Sequence, residues 1–189
     1  MTRKAIIVCA PSGAGKTSIV KYLLNEMPRL SFSVSACSRP MRENETDGKD
    51  YYFLTVDEFR VRILAGDFVE WEEVYQGSYY GTLKSELERI WEEGRVPIFD
   101  VDVKGGINLK TWFGSKALAV YIKPPSIEAL ESRLKKRGTE NEETLRKRLE
   151  RAEFELGFAN NFDLAIINES LEQACKDSAD AIKQFLEQE

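Results

Sequence analysis

The 189-residue chain contains no histidine, and this absence restricts its chemistry more than any residue that is present. Without imidazole, nucleophilic triads that use a histidine base and zinc sites built from histidine are both excluded. Acid–base steps would then fall to carboxylates, lysines or tyrosines. Transfer of a phosphoryl group to another phosphate needs no strong base, because the acceptor oxygen is already anionic near neutral pH, so the composition leaves that chemistry open.

The chain also has few cysteines and no long apolar run. Cys9, Cys37 and Cys175 are far apart and odd in number, which predicts no disulfide framework and no metal site and fits a reducing compartment. No apolar run approaches the roughly 20 residues that cross a bilayer, and a strand is predicted almost at the N-terminus. We therefore expect neither a signal peptide nor a membrane helix, and a cytoplasmic protein.

Positive charge is in deficit, with 27 Lys and Arg against 32 Asp and Glu, a net charge of -5. Such a chain is not expected to bind nucleic-acid backbone in general, so an anionic ligand should be small and held by local arginines and lysines. The length suits one well-packed α/β domain.

The most informative segment, residues 10–18, reads Ala-Pro-Ser-Gly-Ala-Gly-Lys-Thr-Ser and follows the apolar run Ala5–Cys9. A short apolar strand, a small-residue loop and a helical pattern are typical of a nucleotide-binding phosphate loop, although Ala10 replaces the first glycine of GxxxxGK[ST]. Lys16 would contact the β- and γ-phosphates, and Thr17 would supply a hydroxyl for magnesium. The alternative is an ordinary glycine-containing turn. The candidate nucleotide-binding residues are Ser12, Gly13, Ala14, Gly15, Lys16, Thr17 and Ser18.

Beyond this segment, predicted strands alternate with predicted helices, which indicates an α/β fold with a mainly parallel sheet covered on both faces. A block rich in β-structure interrupts the alternation after the second strand. The predicted strands are 5–9, 32–35, 51–54, 68–74, 96–101, 118–122 and 164–167, and the predicted helices are 56–64, 83–93, 127–136 and 171–186, besides the helix after the phosphate loop.

Arginines in a polar loop form a second candidate site. Arg39 and Arg42 lie three residues apart, with Tyr51 and Tyr80 as further possible donors. Guanidinium groups bind phosphate bidentately, and tyrosine hydroxyls could complete the cradle. Taken alone, such arginines more often form surface ion pairs, but a phosphate loop in the same chain favours the phosphate-binding interpretation.

Acids follow the predicted strand 96–101. Asp100 and Asp102 lie two residues apart at its carboxyl end, where ligands bind in open α/β sheets, and Asp100 could order water around magnesium. The alternative is a turn or a helix cap. Glu70 is a further candidate acid. Guanine offers two donors on its Watson–Crick edge whereas adenine offers a ring acceptor, so a pair of carboxylates favours guanine.

Residues 137–152 are the most polar part of the chain, as expected of a mobile lid. Arg133 and Arg137 lie four residues apart, and Arg148 and Arg151 follow. Arginines on a mobile segment can neutralise a phosphoryl group during transfer. A solvated helix face with surface salt bridges explains the composition equally well.

In order and spacing, motifs along almost the whole chain resemble the guanylate kinase family. They are Ala10-Pro-Ser-Gly-Ala-Gly-Lys-Thr17, Ser33-Val-Ser35, Arg39-Pro-Met-Arg42, Gly48-Lys-Asp-Tyr51, Val69-Glu-Trp71, Tyr79-Tyr-Gly-Thr82, Asp100-Val-Asp-Val-Lys-Gly105 and Arg137-Gly-Thr-Glu140. The resemblance implies a P-loop NTPase-type domain with a core (1–32, 83–125 and 153–189), a small β-rich GMP-binding insertion (about 33–82) and a helical lid (about 126–152). It also implies Mg²⁺-dependent transfer of the γ-phosphoryl group from ATP to GMP, and to dGMP, in purine metabolism.

The resemblance also assigns roles to particular residues. Guanine would be held by Ser35, Glu70, Thr82 and Asp102, and the GMP phosphate by Arg39, Arg42, Tyr51 and Tyr80. The transferring phosphoryl group would be stabilised by Lys16, Arg137 and Arg148, with Arg133 beside the ATP phosphates and Asn168 near adenine. Magnesium would be held by Thr17 directly and by Asp100 through water.

Two other functions on the same fold stay open at this stage. An inactive module could use the arginine and tyrosine cradle to bind phosphorylated proteins, but its phosphate loop should then be degraded, whereas Lys16 and Thr17 are present. A kinase of a sugar phosphate would have no use for guanine-binding acceptors. Segment 74–81 is one residue longer than the usual family turn, which bears on the positions of Tyr80 and Thr82. The sequence leaves the oligomeric state open.

Overall fold

The computed structural model describes residues 3–136 and 142–188, and its principal sheet is entirely parallel. Strand β1 (Ala5–Cys9) lies at the centre, between β7 (Val96–Val101) and β8 (Ala117–Lys123). The edges are β2 (Leu30–Phe32) beside β7 and β9 (Leu164–Ile167) beside β8. The predicted α/β fold with a mainly parallel sheet is confirmed.

Helices cover both faces of this sheet, because alternate residues of each buried strand point to opposite sides. On one face, Ile6 packs in a cluster with residues of α1 (Lys16–Glu26) and α7 (Leu171–Glu187). On the other, Ile7 packs with residues of α3 (Lys84–Glu92) and α4 (Val103–Phe113). Within the described ranges, no helix is both long and apolar enough to cross a membrane.

A second, mixed sheet forms the predicted β-rich block. Its order is β4 (Tyr52–Phe53), β3 (Ala36–Cys37), β6 (Ser78–Leu83) and β5 (Phe68–Tyr75). Helix α2 (Val56–Ala65) packs on it through Phe59, whose ring stacks on that of Phe68 with centroids 4.3 Å apart. This block therefore has a small apolar core of its own.

The β5–β6 hairpin carries a β-bulge near its tip. Glu73 pairs with Tyr79 and Tyr75 pairs with Ser78, so β5 carries one extra residue between these pairs. A bulge of this kind leaves the ladder on either side intact. From Glu73 to Glu70 the pairing is regular, with Glu70 opposite Thr82, and a second irregularity follows between Glu70 and Phe68. The bulge near the tip thus leaves Thr82 paired with Glu70, and the length of this turn relative to the family stays a prediction.

Helices α5 (Ile127–Lys136) and α6 (Glu142–Leu156) form the predicted lid region, and residues 137–141 lie outside the described residues. Leu130 and Leu134 of α5 pack on Ala152 of α6 in a small cluster separate from the main core. Helix α6 continues four residues past position 152, where the predicted lid ended.

The observed secondary structure departs from the sequence predictions in several places, and strand β6 occupies residues that were predicted as a turn. The strand predicted over 32–35 ends at Phe32, because beyond it the Val34 amide turns away to a side chain of α3. Helix α4 was predicted only as the helix-cap alternative for the acids after strand 96–101, although Gly105 and Gly106 have low helix propensity. Gly106 is needed for close packing, because a Cβ there would overlap the sulfur of Cys9 in β1.

Candidate active site

The phosphate loop joins the end of β1 to the start of α1 and depends on two glycines. Gly13 and Gly15 have φ values of +90° and +100°, in the region that side chains rarely adopt. A Cβ on Gly13 would lie 2.8 Å from Leu134 Cδ2, and one on Gly15 would overlap the side-chain amide of Asn168. The loop therefore keeps its shape only with glycine at both positions.

Lys16 and Thr17 begin α1 and both contact the predicted magnesium-site acid. The Lys16 Nζ lies 2.6 Å from Asp100 Oδ1 and donates to the Val101 carbonyl at 2.7 Å. The Thr17 hydroxyl donates to Asp100 Oδ2 at 3.0 Å. The contacts arise because β1 and β7 are adjacent parallel strands, so their carboxyl ends meet at one edge of the sheet. The structure thus brings together three predicted site residues.

Two clefts open at this edge. The first, of about 620 Å³, lies between the phosphate loop and α6, and the second, of about 480 Å³, lies between the core and the mixed sheet. Predicted residues that line the first cleft are Ser12, Gly13, Gly15, Ser18 and Arg148, and those that line the second are Ser35, Tyr51, Glu70 and Tyr80. Both are lined by Lys16, Thr17, Asp100, Asp102 and Arg151. The two clefts therefore meet at Lys16.

The predicted phosphate cradle is assembled around Arg39, whose guanidinium lies 5.0 Å from the centre of the Tyr51 ring. The Tyr51 and Tyr80 rings meet edge to face with centroids 6.0 Å apart. Arg42 lies in the same loop, and its side chain is exposed. Of the four predicted phosphate ligands, Arg39 and the two tyrosines are thus in mutual contact.

Glu45 organises this loop and was missed by sequence reasoning. It accepts two hydrogen bonds from the Arg39 guanidinium, each 2.6 Å long, and one from the Arg42 backbone N–H at 2.9 Å. These bonds, that from Arg39 foremost, lower the pKa of the Glu45 carboxyl to about 2. The sequence feature that could have indicated this role is an acid three residues after Arg42 in a loop that contains two arginines. Guanidinium groups near one another need a counterion to be held in place.

Glu70 and Thr82 face each other across the β5–β6 ladder. The Thr82 hydroxyl is fully buried and donates to Glu70 Oε1 at 2.8 Å. Burial raises the pKa of Glu70 to about 7, against the lowering effect of the Thr82 hydrogen bond and with a further rise from the charge of Asp102. A Cβ on Gly105 would lie 3.7 Å from Glu70 Oε2 and 3.4 Å from Asp102 Oδ1, so the two carboxylates flank this glycine.

Among the described residues, Asp102 has one hydrogen-bond partner for each side-chain oxygen. Its Oδ1 accepts from the Gly105 N–H at 2.9 Å and caps α4, as the helix-cap alternative predicted. Its Oδ2 accepts from the Arg151 guanidinium of α6 at 3.2 Å, and Arg151 also pairs with Glu155 at 2.7 Å. The carboxylate therefore caps a helix and lines both clefts.

Arg133 and Asn168 lie behind the phosphate loop. The Arg133 guanidinium donates to the Asn168 carbonyl at 2.8 Å, and the Asn168 side-chain amide donates to the Ala14 carbonyl at 2.7 Å. Asn168 is buried, so this geometry gives it a supporting contact with the loop. Its predicted place near adenine stays a prediction. Arg137 lies outside the described residues.

A phosphate loop at the junction of two clefts defines a class of protein, the P-loop kinases, which hold a phosphoryl donor beside its acceptor. Comparison with known proteins gives the family. The guanylate kinase family model matches residues 2–185. The chain is 48% identical to a guanylate kinase of Bacteroides thetaiotaomicron over 189 residues, covering 100% of this chain and 93% of that protein. It is 50% identical to one of Porphyromonas gingivalis over 184 residues, covering 97% and 98%. The chain belongs to the guanylate kinase family.

The fold agrees with this assignment. A crystal structure of guanylate kinase from Anaplasma phagocytophilum matches with a TM-score of 0.75 at 24% identity, covering 99% of this chain and 88% of that one. The chain is accordingly an enzyme, a kinase that transfers a phosphoryl group from ATP to GMP.

Proposed function

We propose that ATP phosphates bind in the first cleft and GMP in the second, so that the γ-phosphoryl group passes between them beside Lys16. The observation that carries this proposal is the shared lining of the two clefts, with Lys16 at their junction. An oxygen of the GMP phosphate forms a bond to the γ-phosphorus while the bond from that phosphorus to the β,γ-bridging oxygen breaks, giving GDP and ADP. Positioning and charge neutralisation then supply the catalysis.

In this proposal, guanine binds between Glu70 and Asp102 with Ser35 and Thr82 beside it. Guanine presents a ring N–H and an amino group, and the flanking carboxylates are suited to accept from both. The Thr82 hydroxyl already donates to Glu70, so it orients that carboxylate for the base. The Arg151 guanidinium must share or release Asp102 Oδ2 when guanine arrives. The residues named contact the base and the phosphate but not the ribose, so dGMP is expected to be a substrate.

We assign the GMP phosphate to Arg39, Arg42, Tyr51 and Tyr80. Arginine pairs bidentately with phosphate, and the Glu45 carboxylate holds Arg39 in place before the ligand arrives. On the donor side, Lys16, Arg148, Arg133 and Arg137 would neutralise the transferring group and the ATP phosphates. The Lys16 ammonium exchanges its contact with Asp100 for phosphate oxygens when ATP binds.

Magnesium is expected with ATP, and the donors present fit it. The Thr17 hydroxyl and the Asp100 carboxylate are hard oxygen ligands 3.0 Å apart, and Mg²⁺ prefers one or two protein oxygens completed by phosphate and water. Thr17 would hold the ion directly and Asp100 through water. When bound, the ion neutralises charge on the β- and γ-phosphates.

The proposed units are a core of residues 1–32, 83–125 and 153–189, a GMP-binding insertion of about 33–82 and a lid of about 126–152. Separate apolar clusters in the insertion and the lid region support this division. All three cysteines lie in the described part of the chain and are free thiols, which supports a cytoplasmic location. Neither the phosphopeptide-binding function nor the sugar-phosphate kinase is favoured by any feature of the site.

The test replaces Lys16 with alanine and measures turnover and GMP binding separately. Coupled assays should show Lys16→Ala turnover reduced by about three orders of magnitude or more, because the planar arginines around the cleft cannot replace a compact ammonium between phosphate oxygens. Calorimetric GMP affinity should stay within about threefold of wild type, since GMP is held by other residues. Lys21→Ala, on the exposed side of the same helix, is the matched control. A loss of GMP affinity as large as the loss of rate would contradict the division into two clefts.

A further inference from the structure

Glu86 is an acid buried outside both clefts. It lies in the first turn of α3 and is only 2% exposed. A buried carboxylate destabilises a protein unless it is ion-paired and hydrogen-bonded, so a residue of this kind needs an explanation. Nothing in the proposed binding or transfer of nucleotides uses it.

Its contacts join the core helix to the mixed sheet. Among the described residues, Oε1 accepts from the Val34 backbone N–H at 3.0 Å and Oε2 from the Tyr52 hydroxyl at 2.8 Å. Arg89, one helical turn further along α3, donates to both oxygens at 2.9 Å. The same carboxylate therefore ties α3 to two separate segments of the insertion.

In each of these segments, a proposed GMP ligand is adjacent in sequence to the residue that contacts Glu86. Val34 precedes Ser35, and Tyr52 follows Tyr51. The two segments are also joined directly, because the Tyr52 N–H donates to the Ser35 carbonyl at 2.9 Å. Fixing Val34 and Tyr52 to α3 therefore fixes where Ser35 and Tyr51 enter the second cleft.

We propose that Glu86 is a positioning residue for GMP, which holds one guanine ligand and one phosphate ligand of the insertion in register with the core. This inference rests on the proposed assignment of GMP to the second cleft. None of the four hydrogen bonds described for Glu86 goes to a residue that lines the first cleft. Its effect should consequently fall on GMP and not on ATP.

The experiment compares steady-state constants of wild type and Glu86→Gln. The amide keeps the size of the side chain, but in either orientation its NH₂ group faces Arg89, so at least one bond from Arg89 is lost. The remaining bonds from the Val34 N–H and the Tyr52 hydroxyl lose the charge of the carboxylate and weaken. We expect the KM for GMP to rise about tenfold, the effect of losing a hydrogen bond to a charged group, with kcat and the KM for ATP within about twofold. Tyr52→Phe removes one of the four bonds and should raise the same constant by about threefold.

Glu93→Gln is the matched control. Glu93 follows α3 and pairs with the same Arg89 at 2.7 Å, and its other ion-pair partner among the described residues is Arg95, which also lies outside the insertion. Its constants should equal those of wild type. A purely structural role for Glu86 would lower the melting temperature and leave the ratio of the two KM values unchanged, and that result would overturn the proposal. If Glu86→Gln does not fold, an unchanged GMP KM in Tyr52→Phe overturns it.

Glu70→Gln separates this inference from the proposal on which it rests. A raised GMP KM in Glu70→Gln without one in Glu86→Gln would refute the positioning role and leave the cleft assignment intact. An unchanged GMP KM in both variants would refute the cleft assignment, and the positioning role with it.

Discussion

The titration of Glu70 predicts how GMP binding depends on pH. Burial in the second cleft raises the pKa of this carboxyl to about 7, although the Thr82 hydroxyl opposes the rise. Only the ionised carboxylate can accept from guanine with both oxygens, because the protonated form carries a donor of its own. Lowering the pH through 7 should therefore convert Glu70 into a form that binds guanine poorly.

The magnitude follows from the pKa. With a value of about 7, the ionised fraction of Glu70 is roughly 0.9 at pH 8 and roughly 0.1 at pH 6, so the apparent GMP affinity should fall about tenfold between them. Expressed as binding free energy, tenfold is about 1.4 kcal/mol. By linkage, bound GMP should lower the pKa of Glu70 and release a fraction of a proton at pH 7.

Calorimetric titration of GMP into wild type and Glu70→Gln at pH 6, 7 and 8 tests this reasoning. The GMP phosphate itself has a pKa near about 6, which affects both proteins alike, so the informative quantity is the ratio of the two dissociation constants. Glu70→Gln should bind more weakly than wild type at pH 8, and the ratio should shrink about tenfold at pH 6 because only wild type loses its acceptor. A ratio that does not change with pH would refute the role of the Glu70 charge.

Three further outcomes are expected. The kcat/KM for AMP should be lower than that for GMP by about two orders of magnitude or more, because charged acceptors without a donor destabilise the AMP complex. Glu70→Gln and Asp102→Asn should each reduce this difference in kcat/KM. A GMP-to-AMP ratio of kcat/KM that is unchanged in both variants counts against guanine recognition by these acids. Amide exchange in α5 and α6 should slow when donor and acceptor nucleotides are both bound, and equal exchange with and without them would remove the lid from the mechanism. Gly106→Ala should lower the free energy of unfolding by about 1–3 kcal/mol in thermal unfolding, since its Cβ would overlap the Cys9 sulfur. Adding Cys9→Ala should recover part of this loss. Additive effects of the two substitutions on the free energy of unfolding would contradict this packing.

The features that sequence predicted well are those fixed by neighbouring residues. The phosphate loop is one, because Gly13 and Gly15 supply the backbone angles and Lys16 follows within the same few residues. The bounds predicted for α2 and α3 lie within one residue of those observed. Helix α3 has no side-chain N-cap and follows instead from the helical spacing of Leu87, Ile90 and Trp91. In α2, Thr55 and Glu58 form a reciprocal cap and Gly66 ends the helix.

The features that sequence could not predict are set by partners far along the chain. The two glycines of α4 look like helix breakers until Cys9, almost a hundred residues earlier, is seen to occupy the space of a side chain at Gly106. The burial of Asn168 beneath the loop at Ala14 is of the same kind, since the partners are 154 positions apart in the sequence. Such contacts become visible only once the sheet order is known.

Asp102 shows why the alternatives weighed from sequence need not exclude each other. A helix cap and a binding acid have the same local sequence pattern, an acid directly after a strand, so sequence presents the two roles as alternatives. In the structure, capping uses only Oδ1, so Oδ2 is left to face the cleft and Arg151. The bond from the Gly105 N–H also restrains the carboxylate, which fixes the direction of the remaining oxygen before a nucleotide arrives. Capping of α4 thus helps to orient this carboxylate for a ligand. The substitution Asp102→Asn therefore changes both the helix cap and the proposed guanine acceptor.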